Sequence, residues 1–119
     1  MKRPLSVTVI AVLFLAVGVI AVASGAAKVI RSPSAALNEN LLVLSINTLA
    51  IVAGIGLLRG SSWARFLVVV WMAFHVILSF WHSPLEVLIH ALMLAALSYF
   101  LFRHQAAIYF ARSVPARPD

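Results

Sequence analysis

Residues 71–94 read WMAFHVILSFWHSPLEVLIHALML, two apolar runs that meet at Ser83-Pro84. Ser83 has the form of a helix N-cap and Pro84 of a first-turn residue, so a turn followed by a new helix is expected there. Neither run alternates polar and apolar residues as a barrel strand does, and helices satisfy their own backbone in lipid. The stretch therefore predicts an antiparallel helical hairpin. His75 and His90 lie seven to eight residues from its turn. At 1.5 Å per residue, both would sit roughly 11 Å below one membrane face.

Outward from this hairpin the chain stays greasy. Of its 119 residues, 64% are hydrophobic and 10% charged, far from the composition of soluble domains. A hydrocarbon core of about 30 Å needs about 20 apolar residues to cross it. Residues 5–24, 41–58, 63–81 and 85–102 meet that requirement. The expected fold is an all-α integral-membrane antiparallel four-helix bundle forming one domain, with helices at 5–24, 33–58, 63–81 and 84–103. Met1-Lys2-Arg3-Pro4 before an apolar run imitates a secretory signal, and Ala21-Val22-Ala23 resembles a cleavage site. The run is longer than the 7–15 residues of a signal core, so it is expected to remain as the first helix.

In a four-span arrangement Lys2, Arg3, Arg59, Arg65, Arg103, Arg112 and Arg117 fall on one side, and Lys28 and Arg31 on the other. Seven basic residues against two predict that both termini and the 59–65 loop are cytoplasmic. The basic residues stand singly at helix ends, which argues against nucleic acid and for a bilayer containing anionic lipids. With no cysteine, disulfides, thiolate metal sites and thiol redox chemistry are excluded. Carboxylates occur only at Glu39, Glu86 and Asp119, and no nucleophile, base and acid stand together, so hydrolytic enzymology lacks its groups.

Between the first two spans, residues 26–40 form the one long connection. Ser32-Pro33 resembles an N-cap and its first-turn proline, with Asn38 or Asn40 as alternative caps of a shorter second helix. That helix carries Ser45, Asn47 and Thr48 near its outer end. Ala50 and Gly54, then Gly56 and Gly60, are small residues four apart, the spacing that lets helices approach closely in lipid. Trp63 and Trp81 bracket the third span as an aromatic belt would. Beyond Arg103-His104, residues 108–112 would extend along the interface, and residues 113–119 read as a frayed tail.

The junction Gly54-Ile55-Gly56-Leu57-Leu58-Arg59-Gly60-Ser61-Ser62-Trp63-Ala64-Arg65 resembles one found in small uncharacterised bacterial membrane proteins of four helices. The resemblance spans about a dozen residues. It implies a multi-pass protein of the bacterial inner (cytoplasmic) membrane with this topology, and no activity.

Four residues are expected at one depth: Gly18, Asn47, His75 and His90. An ionisable group within a bilayer marks a functional site unless it is partnered. Two facing imidazoles would ligate haem or chlorin-type iron or magnesium, or hold a quinone or a transition metal. Alternatively, neutral His75 and His90 bond to each other, to Asn47 or to backbone carbonyls and tighten the bundle. Trp71, one turn before His75, would stack on a cofactor or simply pack. Glu86 is a candidate third metal ligand, but Ser83-Pro84-Leu85-Glu86 also fits a capping box. His82 falls in the turn and is expected to be solvated.

Taken together, these features favour a non-enzymatic membrane protein that acts by packing, as an accessory subunit, assembly factor or homo-oligomer, without a cofactor. The alternatives are a redox or cofactor-binding protein using His75 and His90, and a small oligomeric transporter or channel.

Overall fold

The computed structural model describes residues 3–32 and 37–112. Among the described residues there are five helices: α1 (Leu5–Arg31), α2 (Leu37–Leu58), α3 (Ser62–Ser79), α4 (Pro84–Phe102) and α5 (His104–Arg112). The first four are long and apolar enough to cross a membrane. They run up and down in an elongated body of 55 × 34 × 25 Å. The tail at 113–119 and the expected helix start at Pro33 lie outside the described residues.

α1 continues to Arg31 and does not end at residue 24 as expected. Gly25 does not break it: its bare Cα faces α2, where an added Cβ would lie 2.8 Å from Leu44 Cδ2. The helix thus gains a close packing contact at the position where a break is expected. Ser32 is its C-cap, with its N–H donating to Lys28 O at 3.0 Å. Lys28 and Arg31 stand in the last turn, where cations suit the negative helix end.

The α2–α3 turn is a Schellman motif. Ser61 N–H donates to Gly56 O at 2.9 Å and Gly60 N–H to Leu57 O at 3.1 Å. Gly60 takes φ 73°, the left-handed conformation that side chains disfavour. The third helix ends at Ser79, leaving Trp81 exposed in the turn rather than in the helix. At the start of α4, Ser83 Oγ accepts from Glu86 N–H at 3.2 Å.

α1 packs most extensively on α2 and α3 on α4, while α1 and α4 barely meet. The α1–α2 contact depends on the glycines. A Cβ on Gly18 would stand 3.1 Å from Asn47 O, and one on Gly54 3.0 Å from Ala11 O. Burial concentrates toward the end that holds the α2–α3 turn: Val7, Ile10, Ala11 and Phe14 of α1, Ala50, Ala53 and Leu57 of α2, Ala64 and Val68 of α3, and Leu101 of α4.

α5 was expected to run on from the fourth span. Instead Arg103 adopts an extended backbone (φ −67°, ψ 163°) and the chain turns, so that Ala106 and Phe110 are buried against this end. Tyr109 OH reaches Leu58 O at 3.2 Å and Leu57 O at 3.4 Å, sharing a proton between two carbonyls at the end of α2. Apolar contacts and the need of terminal carbonyls for donors both hold α5 in place.

Candidate functional site

α4 buries only Leu101 along its length, so the half of the bundle nearer the α3–α4 turn is loosely closed. A cavity of about 390 Å³ occupies the weak α1–α4 seam. Its apolar walls are Ile10, Leu13, Phe14 and Val17 of α1, Ala50 of α2, Met72 of α3, and Met93 and Leu97 of α4. Leu13, Val17 and Met93 are about half exposed, so the cavity opens sideways, toward the surface that lipid would cover. Its remaining walls are Asn47, Trp71, His75 and His90, four of the five candidates identified in the sequence. Gly18 is at this level too, but as the point where α1 touches the backbone of Asn47, and not as a wall.

The two imidazoles are on the same side of the hairpin. Their ring centroids are 6.3 Å apart and their planes differ by 28°. The Trp71 indole lies over His75 at 3.8 Å with a 30° tilt, and Phe14 meets the indole edge-on at 5.3 Å. The indole is fixed from its far side, because Nε1–H donates to Ile46 O at 2.8 Å. Phe14, Trp71, His75 and His90 thus form a ladder of rings along the cavity.

The hydrogen bonds assign the tautomers. His75 Nδ1 lies 2.8 Å from Trp71 O, and a carbonyl only accepts, so Nδ1 carries the proton. Ser79 Oγ donates to His75 O at 2.7 Å. Its one proton is then in use, and its 2.9 Å contact with His90 Nδ1 has the imidazole as donor. The same Nδ1–H is shared with Glu86 O at 2.8 Å. Among the described residues neither Nε2 has a hydrogen-bond partner, and in the neutral rings both are acceptors. Asn47 donates through Nδ2 to Val43 O at 2.8 Å, leaving its Oδ1 as a third acceptor. The rings do not bond to each other or to Asn47; backbone carbonyls and Ser79 hold them.

Ser79 is 2% exposed and connects the helices of the hairpin, a role the sequence did not suggest. The signal available was its position, four residues beyond His75 and therefore on the same helix face.

Glu86 stands apart from this group. Its carboxylate lies 4.0 Å from His82 Nδ1 on the exposed turn and is absent from the cavity wall. Half of the expected capping box forms: Ser83 Oγ takes the Glu86 N–H, while the Ser83 N–H donates to Ser79 O at 3.3 Å. His82 is exposed, with Nδ1–H donating to Leu78 O at 3.0 Å. Among the described residues no three His, Cys, Asp or Glu side chains are grouped to hold a metal ion. A metal at this site would have two imidazoles as its only such ligands.

Comparison with protein-family models, with curated proteins and with solved structures finds no match to this chain.

Proposed function

We propose that this is a multi-pass protein of a bacterial inner membrane, with both termini cytoplasmic, that binds a small apolar molecule bearing hydroxyl groups. The quinol class fits this description. The observation that carries the reading is the polar wall of the cavity: His75, His90 and Asn47 line an otherwise apolar recess, and their other hydrogen bonds leave His75 Nε2, His90 Nε2 and Asn47 Oδ1 as acceptors. Three acceptors against one spare donor, the second Nδ2–H of Asn47, are complemented by a ligand that donates. A hydroxyl on a flat ring would meet the imidazoles, and the ring would lie against Trp71 and Phe14, as aromatic pairs prefer. A volume of about 390 Å³ falls in the range of small-molecule pockets. The sideways opening suits a molecule that arrives through lipid.

Removing Trp63 and Trp81 by substitution with phenylalanine leaves Trp71 as the sole indole and reports binding directly. A short-chain benzoquinol is expected to quench it saturably. The double variant His75→Ala/His90→Ala should weaken binding at least tenfold, a loss of about 1.4 kcal/mol. The dimethyl ether of the same quinol, equal in shape but unable to donate, should fail to bind. Equal binding of quinol and ether would refute the reading.

A second reading is favoured by one distance. Two imidazoles on opposite sides of one metal, each bound through Nε2 at about 2.0–2.1 Å, place their ring centroids roughly 6 Å apart, and the separation here is 6.3 Å. A haem-type or metal centre would show itself as an absorption band or bound metal lost in either His75→Ala or His90→Ala. The packing-module reading has less support, because Gly18, Gly25, Gly54 and Gly56 are all filled by neighbours within the chain. Those small-residue faces are not open to another protein.

A further inference from the structure

At the end of the bundle opposite the cavity's histidines, two arginines have no carboxylate partner among the described residues. Arg65, in the first turn of α3, donates through Nη2 to Ser62 Oγ at 3.1 Å. Arg103, between α4 and α5, donates through Nη2 to Ser6 Oγ at 3.0 Å. The Arg65 guanidinium lies 4.7 Å from the Phe110 ring centre and 4.9 Å from that of Phe102, and Arg103 lies 5.1 Å from that of Phe100. Each leaves its Nε buried without a hydrogen-bond partner, and these are the two such side-chain atoms among the described residues. Buried orphan donors are rare and call for an explanation.

The acids do not supply one. Among the described residues the carboxylates are Glu39 and Glu86, at the starts of α2 and α4 and so at the opposite end. Arg3, Arg59 and Arg112 add charge of the same sign to the arginine end. Nε and Nη2 are the two prongs with which arginine grips an oxyanion side-on. In both residues a neutral serine hydroxyl meets one prong, and among the described residues no hydrogen-bond acceptor meets the other. The aromatic rings flank each guanidinium and add no second oxygen acceptor to either fork.

We propose that Arg65 and Arg103 are binding positions for phosphate oxyanions, each guanidinium turning from its serine to take the anion on both prongs. The anion is either the headgroup phosphate of an anionic lipid or free phosphate. The inference rests on the bilayer placement proposed above, and is independent of what occupies the cavity.

Native mass spectrometry of the full chain, delipidated in detergent, tests it with three probes: phosphatidylglycerol, phosphatidylcholine and inorganic phosphate. Retention of phosphatidylglycerol over phosphatidylcholine, without retention of inorganic phosphate, identifies the lipid as the source. Retention of inorganic phosphate identifies the free ion. In either case Arg65→Lys/Arg103→Lys, which keeps the charge and removes the fork, should weaken binding at least tenfold. Arg59→Gln/Arg112→Gln, which removes two exposed charges from the same end, should change it less than twofold. Ser6→Ala/Ser62→Ala frees both prongs and should tighten binding, which keeps the test decisive if the lysine variant fails to fold. Binding that is absent, that follows net charge across the variants, or that weakens in the serine variant overturns the proposal. None of these outcomes depends on a quinol response.

Discussion

Ser79 joins two helices through one hydroxyl, donating to His75 O and accepting from His90 Nδ1. Ser79→Ala removes both bonds without creating a large void. Side-chain hydrogen bonds between membrane helices contribute about 0.6 kcal/mol on average and up to about 1.7. A loss of about 1 kcal/mol is therefore expected in SDS-induced unfolding, with quinol binding weakened because His90 loses one anchor. Unchanged stability would show that Glu86 O alone orients His90. The candidate residues Asn47, Trp71, His75 and His90 were legible because each is a polar or amphipathic group in an apolar run. Ser79 was not, since serine is common in such helices, where its hydroxyl can bond back to its own backbone. Phe14, Met72 and Met93 were invisible for another reason: which apolar residues face a cavity depends on helix rotation, and in a chain this greasy no polar face reports it.

The helix pair α1–α2 turns on glycines that differ in what they touch. A Cβ on Gly18 would stand 3.1 Å from both Asn47 O and Ile51 N, and on Gly54 3.0 Å from Ala11 O. Backbone cannot move aside without parting the helices. A Cβ on Gly25 would meet only the Leu44 side chain, at 2.8 Å from Cδ2, and a leucine can change rotamer. Gly18→Ala and Gly54→Ala are therefore expected to cost about 1–3 kcal/mol, as overpacked sites do, and Gly25→Ala less than either. Unfolding of the three variants in one detergent provides the ranking, and equal losses would contradict this account of the interface. At the α2–α3 turn, Gly60→Ala is strained by φ 73° and should cost about 1–2 kcal/mol on the same assay. At this scale the four apolar helices and the Ser83-Pro84 turn could be read from run length and capping chemistry. The extension of α1 past Gly25 could not, because a glycine that breaks a helix and one that admits a neighbour look alike until the neighbour is known. The separate packing of α5 was hidden similarly, since burial of Phe110 depends on the bundle end it covers.

Across the whole molecule, charge and burial are arranged along one axis. Arg3, Arg59, Arg65, Arg103 and Arg112 gather at the end where Tyr109 ties α5 to α2 and where Arg3 Nε reaches Tyr109 OH at 3.3 Å. Lys28 and Arg31 close α1 at the other end, beside the acidic starts of α2 and α4. An even number of spanning helices returns the chain to the side on which it began. In the topology proposed above, the bias in basic residues makes that side the cytoplasm, because lysine and arginine near span ends resist translocation. The chain has no cysteine, so single substitutions provide clean reporters. Ser32→Cys and His82→Cys, at exposed positions on one end, should react with a membrane-impermeant thiol reagent in intact cells. Gln105→Cys, exposed on α5, should react only after the cells are permeabilised. Labelling of all three from outside would rule out a bilayer between the two ends. Labelling of Gln105→Cys alone would invert the protein and place the arginines against the outer leaflet. The expected pattern instead puts the phosphate-seeking guanidiniums at the cytoplasmic leaflet and the imidazoles in the outer half of the bilayer. A lipid-borne ligand would then reach the imidazoles through the α1–α4 seam, without passing the arginine end.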